Sequence, residues 1–173
     1  MKSKINLNEI KLLVLDVDGV LTNGDLVINA DGSESKIFNS LDGHGIKLFK
    51  RAGLEVAFLS GRESVPTGLR AMQLGVDFVY QDIKDKLPKL QELMKMLSLK
   101  PEEVAYMGDD LPDLPPIRYV GFGITVANAV EEVKQHADYV TKASGGSGAV
   151  REVTEYLLKQ TGRWDDLMRR YLI

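Results

Sequence analysis

Residues 11–16 read KLLVLD, an almost unbroken apolar run closed by an aspartate. A strand of that kind is covered on both faces, which requires a parallel sheet with helices above and below it. The pattern recurs in EVAFL (55–59), DFVY (77–80), VAYM (104–107) and GITV (123–126), with a weaker DYV at 138–140. Between these runs lie segments with helical spacing, at 45–52, 65–74, 84–97, 130–136 and 149–160. In the last, Val150, Val153, Leu157 and Leu158 make one apolar face. Alternating strands and helices predict a doubly wound α/β fold on a mainly parallel sheet of five or six strands, where ligands collect at the carboxyl ends of the strands.

One segment breaks the alternation. Residues 25–38, DLVINADGSESKIF, have two strand-like arms around an Asp-Gly turn and predict an antiparallel hairpin flap over about 24–38, directly after the acidic end of the first strand. Residues 163–173, RWDDLMRRYLI, follow Gly162 and read as a short tail helix or interaction arm. The length of 173 residues suits a single domain, 1–173. A net charge of −3 provides no basic field for a nucleic acid or an anionic membrane. The chain has no cysteine, which removes disulfides, thiolate metal sites and Cys nucleophiles, and only His44 and His136 offer imidazole. No stretch has the apolar length of a signal-peptide core or a membrane span, and a cytoplasmic location is expected.

Chemistry concentrates where the apolar runs end. Asp16 and Asp18 sit at i and i+2 where the first strand gives out, and Gly19 lets the backbone turn, so both carboxylates can enter one cleft. Taken alone, such a pair is as readily a solvated strand end. A second acidic cluster, Gly108-Asp109-Asp110-Leu111-Pro112-Asp113, also follows a strand, although its carboxylates would equally suit the start of a helix. Carboxylates crowded together need a shared proton or cation. An oxygen-only donor set favours a hard ion such as Mg²⁺. Ser60-Gly61-Arg62 ends another strand, where a hydroxyl, backbone N–H groups and a guanidinium can meet an anion. Lys86 opens a helix, a position unfavourable for a cation unless something negative lies close.

In this order, DVDGVLT, the Ser60 of LSGR, Lys86 of KDKL and GDDLPD resemble the four signature motifs of the haloacid dehalogenase superfamily of phosphotransferases. The flap in place of a large cap domain, with FNSLDGHGIK, SGR and ASGGSGAVREV, is similar to the small bacterial 3-deoxy-D-manno-octulosonate 8-phosphate (KDO 8-phosphate) phosphatases of lipopolysaccharide precursor synthesis. The resemblance implies a phosphatase with Asp16 as the nucleophile that becomes an aspartyl-phosphate, and Asp18 as acid and then base. It implies Mg²⁺ held by Asp16, Asp109 and the Asp18 carbonyl, with Asp110 and Asp113 behind them holding waters or orienting Lys86. Ser60 and Lys86 would bind the phosphoryl oxygens.

For the sugar acid, the resemblance points to Asn39, Ser40, Asp42, Gly43, Lys47, Arg62 and Arg70 beside Asp18 and Lys86, with Arg62 and Arg70 as carboxylate partners. Leu41 stands where many relatives have Arg. His44 reads as structural. The resemblance further implies a homotetramer in which flaps meet through Leu26, Val27 and Ile28. There the tail, with Arg163, Arg169 and Arg170, would close a neighbour's site. Competing readings are a phosphatase for a nine-carbon keto-deoxy sugar 9-phosphate, a receiver-like signalling module, and a non-catalytic oligomerisation module. Relatives that favour the nine-carbon substrate resemble a pattern with Glu where this chain has Arg62. In a receiver the acceptor Asp ends the third strand alone.

Overall fold

The computed structural model describes residues 5–172, so residues 1–4 and the last residue of the expected tail lie outside it. In chain order the elements are β1 (Leu12–Leu15), β2 (Val27–Ile28), β3 (Glu34–Ser35), α1 (Ser40–Arg51), β4 (Glu55–Leu59), α2 (Val65–Leu74), β5 (Phe78–Tyr80) and α3 (Lys86–Met96). They continue with β6 (Val104–Gly108), α4 (Leu114–Tyr119), β7 (Phe122–Thr125), α5 (Glu131–His136), β8 (Tyr139–Val140), α6 (Ala149–Gln160) and α7 (Trp164–Met168). Six strands pair in parallel in the order β5-β4-β1-β6-β7-β8. The chain runs outward from β1 to β5 and then crosses to β6 on the other side of β1, so the order reverses beside β1. Such a reversal leaves a crevice at the carboxyl ends of the strands.

Each central strand divides its side chains between two apolar layers because successive residues face opposite ways. Leu13 and Leu15 of β1 pack with Val56, Phe58, Ala105 and Met107 under α1 and α6. Leu12 and Val14 pack with Ala57, Leu59, Val104 and Tyr106 under α3, α4 and α5. All four β1 residues are buried, as the unbroken apolar run requires.

Two helices differ from expectation. α1 begins at Ser40, five residues before the expected Gly45, because the Asn39 side chain accepts from the backbone N–H of Leu41 and Asp42. Gly43 and Gly45 permit close packing of neighbouring helices. A Cβ on Gly45 would collide with Thr154 Oγ1 and press on the Arg151 backbone in α6. α4 was not among the helical segments because prolines punctuate it. Pro115 and Pro116 nevertheless occupy its first turn, where no N–H partner is required.

The hairpin forms as expected, with β2 antiparallel to β3. No apolar residue between Leu21 and Ile46 is fully buried, and Leu26, Val27, Ile28 and Ile37 are exposed. The flap is therefore not held down by a core of its own. The tail forms α7 and a 3-10 turn over Arg169–Tyr171 and packs on α1 and α6: Leu167 is buried, Lys159 covers the Trp164 ring, and the Tyr171 hydroxyl meets Arg51 and His44 of α1. No helix among the described residues is long and apolar enough to cross a membrane.

Candidate active site

Asp16 directly follows β1, buried between the ends of β4 and β6, and its carboxylate lies 3.0 Å from Lys86 Nζ at the start of α3. Lys86 is held from the other side by Asp113 Oδ1 at 2.6 Å. The same oxygen accepts from the Tyr106 hydroxyl at 2.6 Å, and Asp113 Oδ2 accepts from the backbone N–H of Asp109 and Asp110 at 3.1 and 3.2 Å. Asp113 is thus a buried carboxylate with both oxygens engaged. It ties the loop after β6 to α3.

The electrostatics follow from this crowding. Burial and the Asp113 charge push Asp16 well above the usual carboxylate range, with Lys86 opposing. Burial, then Asp113, raises Asp109 to about 7. Burial alone would lower Lys86, but the Asp16 and Asp113 carboxylates outweigh it and hold the ammonium charged. One carboxylate oxygen from each of Asp16, Asp109 and Asp113 lies within 4.8 Å of the others. An all-oxygen set under mutual repulsion fits a hard divalent cation. Because Asp113 already accepts four hydrogen bonds, Asp16 and Asp109 are the carboxylates with capacity for one.

A cleft of about 500 Å³ opens on these groups. Asp16, Asp18, Lys86, Asp109, Asp110 and Asp113 line it, with Gly61 and Arg62 from the turn after β4, Lys84 before α3, and Leu26 of the flap. Close backbone packing shapes its floor. Gly19 has φ +87°, and a Cβ there would collide with the Asp109 carboxylate. The late glycine loop seats Gly146 N–H on the Val20 carbonyl at 2.9 Å.

Comparison with known proteins accounts for this arrangement. Residues 69–153 match the family model of haloacid dehalogenase-like hydrolases. The chain is 43% identical over 157 residues to the 3-deoxy-D-manno-octulosonate 8-phosphate phosphatase KdsC of Escherichia coli (strain K12), covering 91% of this chain and 84% of that protein. It belongs to the haloacid dehalogenase-like hydrolases. Two crystal structures superpose on the hydrolase. A probable YrbI family phosphatase from Pseudomonas syringae pv. phaseolica 1448a has a TM-score of 0.95 at 48% identity, covering 96% of this chain and 95% of that one. The 3-deoxy-D-manno-octulosonate 8-phosphate phosphatase from Moraxella catarrhalis, in complex with magnesium ion, phosphate ion and KDO, has a TM-score of 0.94 at 41% identity and covers 95% of each chain. Like them, the hydrolase lacks a large cap.

The residues named from sequence separate in the hydrolase. Asp16, Asp18, Lys86, Asp109, Asp110, Asp113 and Arg62 converge on the cleft. Ser60 is buried beneath it, where its Oγ accepts from Arg62 N–H at 3.1 Å and donates to the Arg62 carbonyl at 3.0 Å, fixing the turn. Ser40, Gly43, Lys47 and Arg70 instead line a separate basic hollow of about 320 Å³ with His44, Arg51 and Tyr171. Asn39 is the cap of α1. Asp42, 1% exposed, accepts from the backbone N–H of Gly148 and Arg151 and anchors the start of α6.

Sequence reasoning missed Tyr106, Lys84, Glu34 and Lys36. Tyr106 had a readable signal, a hydroxyl inside a strand buried on both faces that must find a partner. Glu34 and Lys36 had one too, charges at alternate positions of a strand arm and therefore on one face.

Proposed function

We propose that the hydrolase cleaves the phosphate monoester of KDO 8-phosphate to KDO and inorganic phosphate, with Mg²⁺ as cofactor, in lipopolysaccharide precursor synthesis. The observation that carries this reading is the adjacency of the buried Asp16 carboxylate and the Lys86 ammonium, 3.0 Å apart at the end of β1, in a chain 43% identical to a phosphatase of that name. An Asp16 oxygen attacks phosphorus in line with the leaving sugar oxygen, the P–O bond to the sugar breaks, and Asp18 delivers a proton to that oxygen. Asp18 then takes a proton from water, which attacks the aspartyl-phosphate and frees Asp16 and phosphate. Lys86, fixed in advance by Asp113, faces the charge on the phosphoryl oxygens, and the Ser60 turn supports the opposite wall. Mg²⁺ would be held by Asp16, Asp109 and the Asp18 carbonyl, and would neutralise phosphoryl charge while favouring ionised Asp16.

In this reading Arg62, which lines the cleft, meets the sugar-acid carboxylate. Ser40, Lys47 and Arg70 lie in their own hollow, so in this reading they act on substrate only where a homotetramer presents that hollow to a neighbouring cleft. Exposed Leu26, Val27 and Ile28 supply the flap surface for such an assembly. The test is phosphate release from KDO 8-phosphate and a panel of sugar phosphates, with Mg²⁺ or EDTA and with Asp16→Asn as the blank. Metal-dependent preference for KDO 8-phosphate is expected. Preference for a nine-carbon keto-deoxy sugar 9-phosphate would overturn the substrate, and no release from any substrate would overturn the enzyme.

A further inference from the structure

The flap delivers a buried cation to the cleft. The Lys36 side chain is 1% exposed, and its ammonium pairs with Asp18 Oδ1 and, at 3.3 Å, with Glu34 Oε1. Glu34 Oε2 accepts from Arg62 at 3.2 Å, and Arg62 Nε stands 3.9 Å from Asp18 Oδ2. Two cations and two anions therefore balance across the boundary between flap and body. Burying Lys36 without them would be costly.

The two oxygens of Asp18 are treated differently. Oδ1 is engaged by Lys36, whereas Oδ2 is buried and has no hydrogen-bond partner, since Arg62 Nε is beyond that range. A carboxyl that carries a proton to a leaving group needs this asymmetry, with one oxygen anchored and the other uncommitted. These ionic contacts tie the flap to the loop that carries Asp18, beside the partly buried Phe38 at its base.

We propose that Lys36 is a positioning residue for Asp18: its ammonium clamps Oδ1, so that Oδ2 is presented to the leaving oxygen, and it faces the negative charge left on Asp18 as the proton departs. The inference rests on the acid–base role given to Asp18 above. In the step concerned, the P–O bond to the sugar breaks, the electron pair stays on the sugar oxygen, and the Asp18 proton joins it. Lys36 is not among the residues that line the cleft, so in this proposal its effect is confined to the step that needs a proton.

The experiment compares Lys36→Met with the intact chain on KDO 8-phosphate and on p-nitrophenyl phosphate, whose phenolate leaves without protonation. Lys36→Met is expected to lose about 10²-fold in kcat on the sugar phosphate with KM within about twofold. Its first-turnover release of p-nitrophenolate should stay near that of the intact chain, and this signal also reports that the variant folds. Because the chain has no cysteine, Lys36→Cys alkylated with 2-bromoethylamine restores an ammonium at this position alone, with completeness read by mass spectrometry. Recovery of sugar-phosphate turnover is expected.

Sugar-phosphate turnover retained within twofold in Lys36→Met, an equal first-turnover loss on both substrates, or no recovery after complete alkylation would each overturn the proposal. Asp18→Asn, run beside it, separates the two ideas. If that variant keeps sugar-phosphate turnover, the acid–base role itself fails; if it loses turnover while Lys36→Met does not, only the positioning role fails.

Discussion

Lys86 donates to Asp113 Oδ1 at 2.6 Å, with neither side chain more than 4% exposed. Asp16 is the other carboxylate within reach, at 3.0 Å, so Asp113 is what keeps the lysine from collapsing wholly onto the proposed nucleophile. Replacing Asp113 also orphans the Tyr106 hydroxyl and the two backbone N–H groups of the β6 loop. Asp113→Ala should cost about 3 kcal/mol in denaturant unfolding, since it breaks a buried ion pair. Phosphate release should fall about 10²-fold as Lys86 loses its fixed position.

At Asp109 a proton and the proposed metal would compete. Its carboxyl is held at about 7, first by burial and then by Asp113, against an ordinary 3.8. The folded chain therefore keeps a proton there that the unfolded chain has released. The stability this contributes is present in full below about pH 4 and is lost as pH rises through about 7. A cation needs the ionised carboxylate, so its stabilising effect runs the opposite way. Thermal melts with and without Mg²⁺ should show a small Mg²⁺-induced rise at about pH 5.5 and the full rise by about pH 8.

Gly19 permits an approach that no other residue allows. With φ +87° and the Asp109 carboxylate where a Cβ would stand, Gly19→Ala must shift either the catalytic loop or Asp109. The backbone conformation alone costs about 1 kcal/mol. Moving Asp109 should cut turnover more than tenfold and abolish the Mg²⁺-induced rise in melting temperature.

Asp42 tests the division between framework and cleft. Its carboxyl sits above the ordinary value because burial outweighs the hydrogen bonds from Arg151 and Gly148. Asp42→Ala removes the anchor of α6 and should lower unfolding free energy by about 1–2 kcal/mol. The KM for KDO 8-phosphate should stay within about twofold, as measured by initial rates.

How far the sequence was legible depended on what each residue answers to. The strands were readable because an unbroken apolar run has few alternatives, and the end of each run put Asp16, Asp18, Ser60 and Asp109 at one edge. The start of α1 was not. Gly43 looks like a loop residue until Arg70 and Leu74 of α2 are known to pack against it. The substrate residues of the FNSLDGHGIK stretch rest on the family resemblance; within this chain α1 turns Ser40, Gly43 and Lys47 into a hollow away from the cleft and commits Asp42 to α6. Lys36 and Glu34 escaped notice because their partners, Asp18 and Arg62, are 18 and 28 residues away along the chain.

Asp113 reaches Lys86 with one oxygen and the backbone before Asp110 with the other. A single carboxylate thus acts as a caliper. One jaw holds an ammonium and the other holds the loop that carries Asp109, so the gap between the two is set before any ligand arrives. In the proposed reaction a tetrahedral oxyanion would meet a span already cut to size, and Asp113, with both oxygens already engaged, would decide the gauge.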